Sequence, residues 1–194
     1  MPVWPMAALL AFMSPTLVVQ DTITTADSTA ADSVMRQFEA ALRWETGTVT
    51  LKGGLATIVL PARARFLDSK DAQRVLTKAW GNPPDDGTLG MIFPDSMGPF
   101  DENSWAIEIS FDEDGYVKDG DAATMDYGKL LKDMQAGVKE GNAARKKEGF
   151  ATVELLGWAE PPHFDGESHK LYWAKQLQFS DARTPTLNYN IRIL

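Results

Sequence analysis

From Ser104 to Phe111 the side chains alternate without a break: Trp105, Ile107, Ile109 and Phe111 fall on one parity, and Ser104, Ala106, Glu108 and Ser110 on the other. A period of two belongs to an extended strand, because successive strand side chains point to opposite faces. The pattern returns in residues 170–179, where Leu171, Trp173, Leu177 and Phe179 share a face that Lys175 interrupts. It returns again in residues 186–194, where Leu187, Tyr189, Ile191 and Ile193 share one. With a further run over residues 152–159, these strands follow one another through short connections, which favours antiparallel pairing.

Helical periodicity fills the gaps between them. Residues 31–46 space Val34, Phe38, Ala41 and Leu42 for one helix, with Asp32 or Ser33 as its cap. Thr48–Leu51 and Leu55–Leu60 read as a hairpin around Lys52-Gly53-Gly54, because the Gly pair supplies the positive φ angles of a tight turn. Asp68 or Ser69 caps a short helix through Trp80, which Gly81-Asn82-Pro83-Pro84 stops. Leu89–Phe93 reads as a buried strand.

Residues 126–148 place Tyr127, Leu130, Leu131, Met134 and Val138 on one helical face, and Arg145-Lys146-Lys147 at the end, where cations suit the dipole. Gly137 and Gly141 within it suggest close packing against a sheet. Residues 152–179 read as a hairpin with Val153, Leu155, Leu171, Trp173, Leu177 and Phe179 on its core face and Pro161–Ser168 as its turn. The fold class is α+β: a mostly antiparallel sheet of about seven strands with two to three helices packed against it.

A chain of 194 residues, 44% hydrophobic and 24% charged, can bury a core of its own. Six Trp, nine Phe and four Tyr supply anchors that point to an aromatic-rich core. The net charge of -8 repels phosphate backbones, and no basic stripe offsets it, so nucleic acid is excluded as a partner. The absence of Cys excludes disulfides, thiol catalysis and cysteine-ligated metals.

Residues 1–20 carry no charged side chain, and Met6–Val19 has the length of a signal-peptide core, too short to span a membrane and interrupted by Pro15. Residues 21–32, rich in Thr, Ser, Ala and Asp, read as a flexible linker, and residues 33–194 as a single α+β domain. The last strand meets the end of the sequence with no turn or cap, which suggests that the chain stops inside its domain.

Five ordered blocks carry a resemblance: LGMIFP at 89–94, SWAIEISFDEDGYVKDGDA at 104–122, LLGWAEPP at 155–162, HKLYWAK at 169–175 and TLNYNIRIL at 186–194. Together they resemble a bacterial family of uncharacterised, predicted membrane-anchored proteins, domain of unknown function 2167, over residues 35–194. The resemblance implies an exported protein of the periplasm or cell envelope, membrane-anchored in longer relatives, and it supplies no activity. Pro61-Ala-Arg-Ala-Arg-Phe66 departs from the Gly-Phe that members tend to carry after the Pro.

Two segments carry candidate chemistry. The loop with Ser110, Asp112, Asp114, Gly115, Val117 and Asp121 aligns loosely with a calcium loop, which makes Asp112, Asp114 and Asp121 the candidate metal ligands. Ser at the first position and Asp at the twelfth argue instead for a solvated acidic connection that caps the next helix. His163, Asp165, Glu167 and His169 alternate as a His/carboxylate metal site would need, but Gly166 and Pro161-Pro162 favour a turn that scatters them.

No GxSxG, Walker A, GxGxxG or HExxH pattern is present, so no catalytic residue and no cofactor is assigned. The sequence therefore reads as a non-enzymatic binding or assembly module that meets an envelope protein partner, with membrane association in full-length relatives. The alternative is an envelope hydrolase or metal-dependent enzyme that uses the acidic 112–121 loop and the 163–169 turn.

Overall fold

The computed structural model describes residues 25–113 and 125–193. The segment 1–20 read as a signal lies outside the described residues. Among those described, eight strands form three antiparallel sheets and three segments are α-helical, an α+β fold. Sheets of two, three and three strands replace the single sheet of about seven that periodicity suggested. Alternation marks a strand but does not say which neighbours it pairs with. Within the stretch read as one domain, the described residues cluster into two compact units, residues 25–111 and residues 112–193.

In the first unit, helix α1 (Thr25–Ala40) begins inside the stretch expected to be a linker. Ala26, Ala30 and Ala31 have the highest helix propensity and offset the Thr and Ser around them. Phe38 meets Phe100 edge to face at 5.4 Å, while Val34, expected on the inner stripe, is exposed. Strands β1 (Thr48–Thr50) and β2 (Thr57–Val59) form the expected hairpin, with Gly53 and Gly54 at φ 76° and 72°.

Strand β3 (Ala64–Asp68) pairs with β4 (Thr88–Pro94), which pairs with β5 (Ile107–Ser110). Val49, Leu51, Leu60 and Phe66 form a buried cluster, with Ile92 and Ile109 packed against it. Gly90 sits where a Cβ would collide with the Phe66 ring, so the aromatic ring takes the space that only glycine leaves.

Helix α2 (Ser69–Arg74) is capped by Asp68, whose carboxylate accepts from the Asp71 N–H at 2.9 Å, and it continues through a π-turn over Val75–Ala79. Asp71 is almost fully buried. Its Oδ2 accepts from the Arg43 backbone N–H at 3.0 Å and from Arg43 Nε at 3.2 Å, and its Oδ1 accepts from Arg74 Nη1 at 2.9 Å. Burial alone would raise its pKa; the hydrogen bonds from Arg43 and Arg74 outweigh burial and hold it below the usual value.

In the second unit, helix α3 (Tyr127–Lys147) is capped by Asp126, whose Oδ1 accepts from the Lys129 N–H at 2.9 Å. Strands β6 (Val153–Asp165), β7 (Lys170–Phe179) and β8 (Thr186–Ile193) follow in spatial order. The β6–β7 turn is shorter than the sequence suggested. Pro161 and Pro162 lie within β6, inside the register shift between Glu160 and His163, and only 166–169 turn. Proline is tolerated there because β6 is an edge strand and the ladder is already interrupted.

Helix α3 lies along β6 through polar contacts more than apolar burial. Gln135 Nε2 donates to Leu155 O at 3.0 Å, Asn142 Nδ2 to Val153 O at 2.8 Å, and Arg145 Nε to Ala151 O at 2.6 Å. None of its residues is fully buried. Gly137 and Gly141, expected to allow close packing, face open space.

Candidate functional site

Strand β8 of the second unit is inside out relative to hydropathy, while β6 and β7 keep Leu155, Leu177 and Phe179 buried on the covered face. Register places Lys175 opposite Asn188, Trp173 opposite Asn190 and Leu177 opposite Thr186, so these side chains share one face. On it Lys175 is 4% exposed, Asn188 0% and Asn190 3%. The other face pairs Ala174 with Tyr189 and Tyr172 with Ile191. There Tyr189 is 63%, Ile191 61% and Ile193 75% exposed, with Leu187 also on the surface. A period of two says which residues share a face; it does not say which face is covered.

On the covered face, burial pushes the Lys175 amine down to about 8, and no charged group among the described residues contributes to the shift. The Trp173 indole Nε1 and the Asn190 Oδ1 are buried and make no hydrogen bond among the described residues. Asn190 Nδ2 donates to the Asn188 Oδ1 at 2.8 Å and to the Asn188 O at 3.0 Å. Arg192, opposite Leu171 on the same face, lies 3.7 Å from Asp112. The arrangement is a strip of polar groups, donor-rich, set among Leu171, Leu177 and Phe179.

Of the candidate metal ligands, Asp112 is half-buried and paired with Arg192, and Asp114 and Asp121 lie outside the described residues. In the 163–169 segment, Asp165 organises the turn: its Oδ1 accepts from the Glu167 and Ser168 N–H groups at 3.0 and 3.3 Å, and its Oδ2 accepts from Ser168 Oγ at 2.5 Å. The hydrogen bonds from Ser168 and Glu167 hold its carboxyl below the usual range. His163 stacks on Tyr172 at 5.1 Å, its cross-strand partner. His169 has a positive φ of 50°. Among the described residues no three His, Asp or Glu side chains converge as a metal site would need.

A cleft of about 640 Å³ runs between α3 and the starts of β6 and Ser180. Its polar walls are occupied by hydrogen bonds: Asn142 and Gln135 with the backbone of β6, Gln178 Nε2 with the Phe179 and Ala182 carbonyls, and Ser180 Oγ accepting from the Thr152 N–H. In the first unit, Glu108 is buried on the polar parity of β5 and accepts from Thr88 Oγ1 at 2.5 Å. Burial raises its pKa against that hydrogen bond, and Asp85 adds to the rise. On the apolar parity Trp105, Ile107 and Phe111 are exposed, while Ile109 packs against the cluster of Val49, Leu51, Leu60 and Phe66.

The sequence had already marked Lys175 as an interruption of an apolar face. Asn188 and Asn190 carried no comparable signal, because on a strand whose alternate residues are Leu, Tyr and Ile they look like the solvent side. No helix among the described residues is long and apolar enough to cross a membrane. No curated protein and no solved structure matches the chain. A family described as "Protein of unknown function (DUF2167)" matches residues 43–194, and the chain belongs to that family.

Proposed function

We propose that this protein is an exported binding or assembly module of the cell envelope, and that it meets a partner protein through the outer face of β8. The observation that carries this reading is the exposed row of Leu187, Tyr189, Ile191 and Ile193. Contiguous apolar surface of this kind is costly to leave in water and marks interaction sites. The occupant is a partner protein with a complementary apolar surface. Aromatic and branched aliphatic side chains at the centre of such a contact contribute roughly 2 kcal/mol each when buried. Export is supported by the uncharged, apolar segment at residues 1–20.

Photo-crosslinking in a bacterial host tests both parts. A crosslinker at Tyr189 or Ile191 is expected to give one discrete adduct in the envelope fraction, lost in Leu187→Ser, and a crosslinker at the exposed Lys139 none. A protein confined to the cytosol would overturn the export reading. Absence of a discrete adduct from β8 in the envelope fraction would overturn the binding surface.

A further inference from the structure

We propose that the covered face of the β7–β8 pair is a binding site for a small oxyanion, a carboxylate or phosphate group, anchored by Lys175. This site is separate from the outer face of β8 and does not depend on its role.

Lys175, the Trp173 indole N–H, Asn188 and Asn190 are buried polar groups on neighbouring positions of one face. Lys175 is 4% exposed and its shift has no cause but burial, so no carboxylate among the described residues neutralises it. Two residues along the strand, the Trp173 indole N–H is buried with no acceptor. Across the ladder, Asn190 holds Asn188 by two donated hydrogen bonds, which fixes both amides at the positions opposite Trp173 and Lys175. Same-face residues two apart on a strand lie within reach of each other's long side chains.

A buried cation without a counter-charge, beside a buried N–H without an acceptor, is unfavourable on both counts. One ligand that carries negative charge on an oxygen relieves both: one oxygen accepts from the Lys175 ammonium and a second from the Trp173 indole. The charge balance favours an anion. Lys175 and Arg192 share the face, and Asp112, at 3.7 Å from Arg192, is the acid placed against it. That leaves the Lys175 charge unmatched within a chain of net charge -8. Among the described residues a cationic ligand finds no free carboxylate there, and an apolar one leaves both donors unsatisfied. A carboxylic acid and a phosphate have each lost a proton well below neutral pH, so either presents an anionic oxygen to the pocket at pH 7.

The full chain, labelled with ¹⁵N and held in an oxyanion-free buffer, is titrated with inorganic phosphate and, separately, with acetate. Phosphate alone identifies a phosphate site and acetate alone a carboxylate site, and either result upholds the proposal. The expected signature is a saturable shift of the Trp173 indole resonance together with a Lys175 pKa that rises from about 8 towards its ordinary 10.5. Trp173→Phe, which keeps the ring and loses the N–H, is expected to weaken binding about tenfold. Lys175→Met is expected to abolish it, while Lys139→Met on the exposed face of α3 leaves it unchanged. A Lys175 pKa that stays put under both titrants, or an unaltered affinity in Trp173→Phe, would overturn the site. Should Lys175→Met fail to fold, the Trp173 variant and the pKa readout decide.

Discussion

Asn142 and Val153 exchange two hydrogen bonds, from Asn142 Nδ2 to the Val153 carbonyl at 2.8 Å and from the Val153 N–H to Asn142 Oδ1 at 2.9 Å. A side-chain amide thus stands in for a neighbouring strand at the edge of β6. Asn142→Leu should leave both backbone groups unpaired and cost about 2 kcal/mol, seen as a lower urea midpoint. It should also raise concentration-dependent self-association in sedimentation, because an uncovered edge templates pairing. Unchanged stability would show that the edge is not held this way.

Lys175 titrates near 10.5 when exposed and near 8 in the folded chain. Between those values the unfolded chain holds a proton that the folded chain has released, so stability rises with pH across about 8 to 10.5. Below 8 the full penalty of roughly 3 kcal/mol is present. Lys175→Met should therefore be more stable than the parent at pH 7 in oxyanion-free buffer, and the two curves should converge above pH 10. Parallel curves across that window would refute the burial of this charge.

Glu108 carries the opposite sign. Its folded pKa lies above the ordinary 4.5, so the folded state binds more protons and stability falls as pH climbs from 4.5 through the folded value. Glu108→Gln still accepts from the Thr88 hydroxyl and removes that loss. A gain at pH 7 that shrinks as the pH falls towards 4 is the expected result in denaturant titrations.

For Asp71 the lowered pKa places the stabilisation above the ordinary 3.8, lost as pH falls through the folded value. Asp71→Asn leaves Arg43 and Arg74, both partly in water, without their shared carboxylate and should lower stability by about 1 to 2 kcal/mol at pH 7. The difference from the parent should close in acid. A constant difference down to pH 2 would mean that shape, not charge, holds this corner.

The elements were largely legible in the sequence, and so was the covered face of β7 with Leu177 and Phe179; the covered faces of β5 and β8 were not. The Lys52-Gly53-Gly54 hairpin, the Asp68 cap and the strands over 170–179 and 186–193 follow from local rules that act within a few residues. Strand β3 was missed because Ala62-Arg63-Ala64-Arg65 offers no apolar alternation. Arg65 earns its inner position by stacking 3.6 Å over Trp44 and donating to the Met97 carbonyl at 2.7 Å, partners distant in sequence. Glu108, Asn188 and Asn190 sat on parities that hydropathy assigns to water, so their burial was invisible. Only Lys175 announced itself, as a charge breaking an apolar row.

The proline pair of β6 has a consequence for assembly. Near Val153 and Leu155 the edge is occupied by amides from α3, and at Pro161 and Pro162 the backbone has no N–H to offer. Two copies that approach β6 to β6 therefore find few matching donors and acceptors along either half of the strand. Lengthening the sheet symmetrically from the β6 side is therefore disfavoured at both stretches.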